Sequence, residues 1–239
     1  MHVSSTLIVS ITLTFGLVSG VAHAAPVSGQ GTWETTLQGR DLDGNPSTFE
    51  AYYDTDLDIT WLADVSTLIW GFSATDWAAN LSLTDGVNTY DNWRLPTLID
   101  TGTLGCNNGF NGTDCGYNVN TATSEMAHLF YDELGNKGTY DTAGAPQPGS
   151  GLTNTGPFNY LRGTAFWSGT AYAGTEYAPY VAMWYFSFGD GHQGYTSPKY
   201  YADILAVSPG DVAAVPEADT WAMLLAGLGL VGVAIGRRR

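Results

Sequence analysis

Acidic side chains at alternate positions are the first groups in this chain whose spacing suits a chemical task. Asp41-Leu42-Asp43-Gly44-Asn45 has the Asp-x-Asp-Gly-Asn order of a cation loop, and Asp54, Asp56 and Asp58 crowd the next turn. Calcium takes six to eight oxygens, and alternate acids in a turn supply several. Counting from Asp41, the twelfth residue is Tyr52 rather than glutamate, so a plain EF-hand loop is excluded. Asp-Gly-Asn is also ordinary turn chemistry, which leaves two readings, a calcium site or tight turns. No other cofactor is expected.

Aromatic side chains offer a second chemistry. The stretch from Phe166 to Tyr201 is rich in Trp and Tyr, and Trp167, Trp184 and Tyr185 are candidate rings for stacking on a glycan. Strand alternation turns many such rings inward, so core packing is the competing reading. Catalysis has thin support. Between the two chain ends the only histidines are His128 and His192, and there is no His-Glu-x-x-His, no Gly-x-Ser-x-Gly and no phosphate loop. The expectation is a protein that is not an enzyme. A secreted hydrolase with a Ser-His-Asp set assembled in space is the alternative.

The elements that must position these groups follow from periodicity. Gly31 to Leu37 alternates like a strand. Phe49–Tyr53 and Ile59–Leu62 flank an acidic turn and predict a hairpin. Thr75-Asp76 predicts the cap of a helix through Leu81. Ser124–Leu134 predicts a second helix, with Thr123 or Ser124 as cap, Met126, Leu129, Phe130 and Leu134 on one face, and Gly135 as stop. Phe166–Ser168, Val181–Phe188 and Ile204–Val207 read as later strands. Two helices early and strands late predict an α+β domain. Arg94, in Trp93-Arg94-Leu95-Pro96-Thr97, is expected to pair with a carboxylate.

The two ends carry addresses. Leu7–Val21 is apolar apart from Ser, Thr and Gly, and Ala22-His23-Ala24 follows as a small-x-small cleavage site, so residues 1–24 read as a signal peptide. At the other end Val215-Pro216-Glu217 precedes an uncharged run, Thr220–Gly236, and then Arg237-Arg238-Arg239. As a helix at ~1.5 Å per residue that run reaches about 25 Å, enough for a thin bilayer core. Basic residues beside a span stay cytoplasmic, which places the body outside the inner membrane. The body between the ends holds 21 acidic and five basic residues, a formal charge of −16. Nucleic acid and sulfated polysaccharide suit such a surface poorly, whereas cations and neutral sugars suit it. Cys106 and Cys115 are the only cysteines, and in an exported chain they most simply form one disulfide, contributing about 2–3 kcal/mol.

The tail resembles the PEP-CTERM sorting signal of Gram-negative bacteria, with Ala218 where a second proline is usual. The resemblance implies recognition by an exosortase, cleavage near Pro216-Glu217 within a motif spanning 215–219, and transfer of the body to the cell surface or its exopolysaccharide matrix. The helix at 220–236 is then a transient transmembrane anchor. The body, over residues 49–212 behind an extension at 25–48, resembles the Lcl C-terminal domain family. The segments are Tyr53-Asp54 through Trp61-Leu62, Trp93-Arg94-Leu95-Pro96-Thr97, Phe166-Trp167-Ser168-Gly169-Thr170, Ala182–Gly191 and Ala206–Val212. That resemblance implies a C-type-lectin-like fold, two helices packed on a small twisted antiparallel sheet, in an adhesion or matrix protein. Glu-Pro-Asn, Gln-Pro-Asp and Trp-Asn-Asp, the triplets of lectin calcium sites, do not occur. A glycan partner would therefore be held through exposed aromatics, with calcium at most as a structural aid.

Overall fold

Strand is the commonest regular element among the described residues, in short pieces separated by turns and loops. The computed structural model describes residues 30–45, 47–64, 66–102, 110, 114–174 and 181–212. In chain order the strands are β1 (Leu37–Arg40), β2 (Ala51–Asp54), β3 (Ile59–Leu62), β4 (Ser66–Trp70), β5 (Leu83–Thr84), β6 (Thr89–Tyr90), β7 (Ala165–Ala171), β8 (Met183–Ser187), β9 (His192–Thr196), β10 (Tyr201–Ile204) and β11 (Val207–Pro209). The helical segments are α1 (Trp33–Thr36), α2 (Gly71–Ala79), a 3-10 turn (Thr121–Thr123) and α3 (Glu125–Ala127), the last running into a π-helix, His128–Glu133.

Two sheets share the work. The order β1-β2-β3-β11 makes an antiparallel four-stranded sheet, and β4-β10-β7-β8-β9 a five-stranded one in which β10 and β7 run parallel. Leu205 and Ala206, both fully buried, carry the chain from β10 in one sheet to β11 in the other. The expected α+β class thus holds as a mixed, sheet-rich body with few helices. The single small antiparallel sheet does not: there are two main sheets, with four strands before α2 and six before α3. β1, assigned by sequence to an extension, is the edge strand of the first sheet.

Local reasons explain where elements depart from expectation. The segment after Gly31 is a helical turn, because the Thr32 carbonyl accepts from the Thr35 and Thr36 amides and from both hydroxyls. Helix α2 begins at Gly71, one turn before the expected cap, so Thr75 and Asp76 lie exposed within it. Gly71 permits this start: a Cβ there would come within 2.8 Å of Pro198 Cα. Ser124 does cap α3, its hydroxyl accepting from Ala127 N at 3.3 Å. Gly135, at φ +62°, turns the chain out against Gly31.

Both faces of the central strands are covered. On β7, Phe166 joins a cluster with Trp61, Phe130, Phe158, Phe186 and Phe188, while Trp167 on the other face packs against Ala74 and Ala78 of α2 and against Leu95. Pro96 is tied to the same strand: its carbonyl accepts from Ser168 Oγ at 3.0 Å and Gly169 N at 2.8 Å. The Trp-Arg-Leu-Pro and Phe-Trp-Ser segments therefore meet as one structural joint. Arg94 completes it with a two-pronged bond to Glu125, at 2.8 and 2.7 Å.

Candidate functional site

A hollow of about 710 Å³ lies where the open ends of β2 and β3 face α2 and the 159–160 loop. That volume falls in the ~300–1,000 Å³ range of ligand pockets. Phe49, Tyr52, Trp77 and Tyr160 line it with rings; Ser47, Thr48, Glu50, Asp64 and Asn159 add polar groups. Phe49 and Tyr160 are 50% and 65% exposed, so their faces are open to a ligand. Phe49 lies across Gly39, where a Cβ would come within 2.4 Å of the ring, and meets Tyr52 edge-on at 6.3 Å. Tyr52 is held in turn by Phe158 and by a 3.2 Å bond from its hydroxyl to Pro157 O. Sequence reading missed this site because its walls come from four separate segments.

The rings chosen from sequence sit elsewhere. Trp167 and Trp184 are each 1% exposed and present no face to a ligand. Their indole nitrogens donate to Ile69 O and to Asp100 Oδ2, both at 3.0 Å, and Trp184 packs edge-on against Tyr172 and Tyr195. As stacking platforms these two are corrected to core residues. Tyr185 is half-buried and lines a smaller hollow of about 280 Å³ with Tyr200, Tyr201, Asp190 and His192. His192 is pushed below its ordinary range by burial, despite nearby Asp190, and its ring packs edge-on to Tyr117 at 5.0 Å.

The calcium candidates separate. Asp41 and Asp43 come within 4.8 Å of Glu50 rather than forming a set with the second turn. Asp41 Oδ1 accepts from Asp43 N and Gly44 N, Asp43 Oδ1 from Asn45 N, and Asn45 Oδ1 from Ser47 N, which is the chemistry of successive Asx turns. Asp54, Asp56 and Asp58 do not converge. Asp54 is fully buried, its Oδ1 accepting from the Asp56 and Leu57 amides and its Oδ2 from Trp61 Nε1, while Asp56 and Asp58 are exposed. The turn buries the first carboxylate and leaves the other two in solvent, Asp58 Oδ1 accepting from the Tyr53 hydroxyl.

Asp54 instead meets His128 and Glu133, with one ligand atom from each within 4.8 Å of the others. In an α-helix, residues five apart point about 140° from one another. The wider π-turn brings His128 and Glu133 to one face, with Nε2 of the first 3.4 Å from Oε1 of the second. Nδ1 lies 3.2 Å from Asp132 Oδ2, and both Thr32 and Thr36 hydroxyls donate to Glu133 Oε2. Burial pulls the His128 pKa down, but bonding to Asp132 and Glu133 overrides it and raises it to about 10 from 6.5. Burial raises Asp54, with Glu133 adding to the shift and the Trp61 bond opposing it. Because the folded imidazole holds its proton more tightly than the unfolded one, its stabilisation is complete below pH 6.5 and fades as pH rises toward 10. The stability gap between the protein and its His128→Gln variant should therefore shrink across pH 6.5–10 in urea titrations; a constant gap would show that the imidazole is neutral.

Of the expected Cys106–Cys115 pair, Cys106 lies outside the described residues; Cys115 is buried, and no described cysteine is free. The expected signal peptide at 1–24, the motif Val215-Pro216-Glu217, the span at 220–236 and Arg237–Arg239 also lie outside them. Among the described residues no helix is long and apolar enough to cross a membrane.

Residues 214–239 match the PEP-CTERM protein-sorting motif. The PEP-CTERM match covers the tail alone and implies export, recognition by an exosortase and sorting to the surface or the exterior. No curated protein and no solved structure matches the chain. The PEP-CTERM tail thus states the destination, and the body must be read from its own geometry.

Proposed function

We propose that this is a non-catalytic protein of the cell surface or exopolysaccharide matrix, delivered by its PEP-CTERM tail, which holds glycan in the cleft between the β2–β3 ends and α2. The observation that carries this reading is the cleft itself: four rings beside carboxylate, amide and hydroxyl groups. Apolar sugar faces stack on rings, and sugar hydroxyls bond such polar groups. An adhesion or matrix role follows from a glycan-holding body at that destination. The non-catalytic reading is supported by the sequence, which holds no His-Glu-x-x-His, Gly-x-Ser-x-Gly or phosphate-loop signature.

Binding of the mature body to polysaccharide from its own biofilm tests this. The double variant Phe49→Ala/Tyr160→Ala should lose about 1–3 kcal/mol, roughly 5- to 150-fold in Kd, with its melting temperature little changed because both rings are largely exposed. Absence of binding to any neutral or host polysaccharide would remove the glycan reading.

A further inference from the structure

We propose that the glycan in this cleft is cationic, a polymer of de-N-acetylated amino sugars whose ammonium groups face Glu50 and Asp64. This deepens the glycan reading of the same cleft and rests on it. Two carboxylates line the cleft and none of its lining residues is Lys, Arg or His. Glu50 leads from the cleft to a second acidic group: its carboxylate lies within 4.8 Å of those of Asp41 and Asp43. The described arginines do not offset this field, since Arg40, Arg94 and Arg162 are each bound to their own partner, Asp211, Glu125 and Asp203. Glu50 Oε2 accepts from Leu42 N at 2.9 Å, which fixes the side chain in place before any ligand arrives. A neutral sugar would gain from the rings and from neutral hydroxyl hydrogen bonds only. An amino sugar gains from the rings and from charge-assisted bonds to a preset carboxylate. A uronic or sulfated chain would meet like charge.

The test measures binding of three hexasaccharides to the mature body: fully de-N-acetylated β-1,4-glucosamine, its fully N-acetylated form, and cellohexaose. The de-N-acetylated chain should bind at least about 10-fold tighter in low salt, and the advantage should vanish in 1 M salt, where the screening length falls to ~3 Å. Glu50→Gln/Asp64→Asn should abolish the same advantage, since glutamine keeps an acceptor for Leu42 N. Asp56→Asn, at the far end of the β2–β3 hairpin, separates a cleft effect from the general attraction of an acidic protein for a polycation, and it should change nothing. Equal binding of the acetylated and de-acetylated chains, with loss of both in the Phe49→Ala/Tyr160→Ala variant, overturns the amine proposal and leaves the glycan reading intact. An advantage that Asp56→Asn reduces as much as the cleft variant does also overturns it. If none of the three chains binds and host polysaccharide does not bind either, the cleft reading fails together with it.

Discussion

His128→Ala should lower the stability of the body by about 3–5 kcal/mol, a large part of the ~5–15 kcal/mol that separates folded from unfolded domains. Asp54 and Glu133 are both fully buried, and His128 is the cation between them. Without the imidazole, two buried carboxylates face each other with only hydroxyl, indole and amide donors left. One of them must then take a proton or the π-turn must open. Because α1 is tied to Glu133 through Thr32 and Thr36, and the β2–β3 turn through Asp54, the loss should be felt at both. Urea unfolding measures the loss directly, and amide exchange at Thr32–Thr36 and Thr55–Asp58 locates it. A change under 1 kcal/mol would mean that the cluster is not ionic in the folded protein. Removing two of the three groups, in His128→Leu/Glu133→Leu, should cost less than His128→Ala, since Asp54 then keeps its Asp56, Leu57 and Trp61 donors and no second buried carboxylate faces it.

Pro216→Ala/Glu217→Ala should convert the exported protein into one held at the inner membrane. The PEP-CTERM match implies recognition by an exosortase, and the substitution leaves the apolar run Thr220–Gly236 and the three arginines untouched. An apolar run of that length with a basic flank partitions into a bilayer and stays there unless it is removed. Fractionation should find most of the variant in the membrane as a longer species, while the normal protein appears outside without Trp221 and the arginines. If mature protein from normal cells retains those residues, processing at Pro216-Glu217 is wrong.

How much of this was legible beforehand depends on the range of the interactions involved. The β2–β3 hairpin, the Ser124 cap, the Gly135 stop and the carboxylate partner of Arg94 all rest on local pattern or simple charge balance, and all were readable. The face of a ring was not. Trp167 lies on a strand whose two faces are covered by different clusters, so alternation predicts an outward side that does not exist. Glu50 and Asp64 gave no signal as cleft residues, because two of the four rings, Trp77 and Tyr160, come from α2 and from a loop some hundred residues later.

The sequence alone therefore determined the address, through a contiguous tail whose meaning lies in order and hydropathy, and the acidic balance of the body. Tertiary structure alone decided which aromatics meet solvent and that His128 reaches both Glu133 and Asp54. The first depends on what covers each sheet face. The second depends on a π-turn that shifts the helix by one residue in every turn. Neither is a property of neighbouring residues, because each is fixed by packing between segments far apart in the chain.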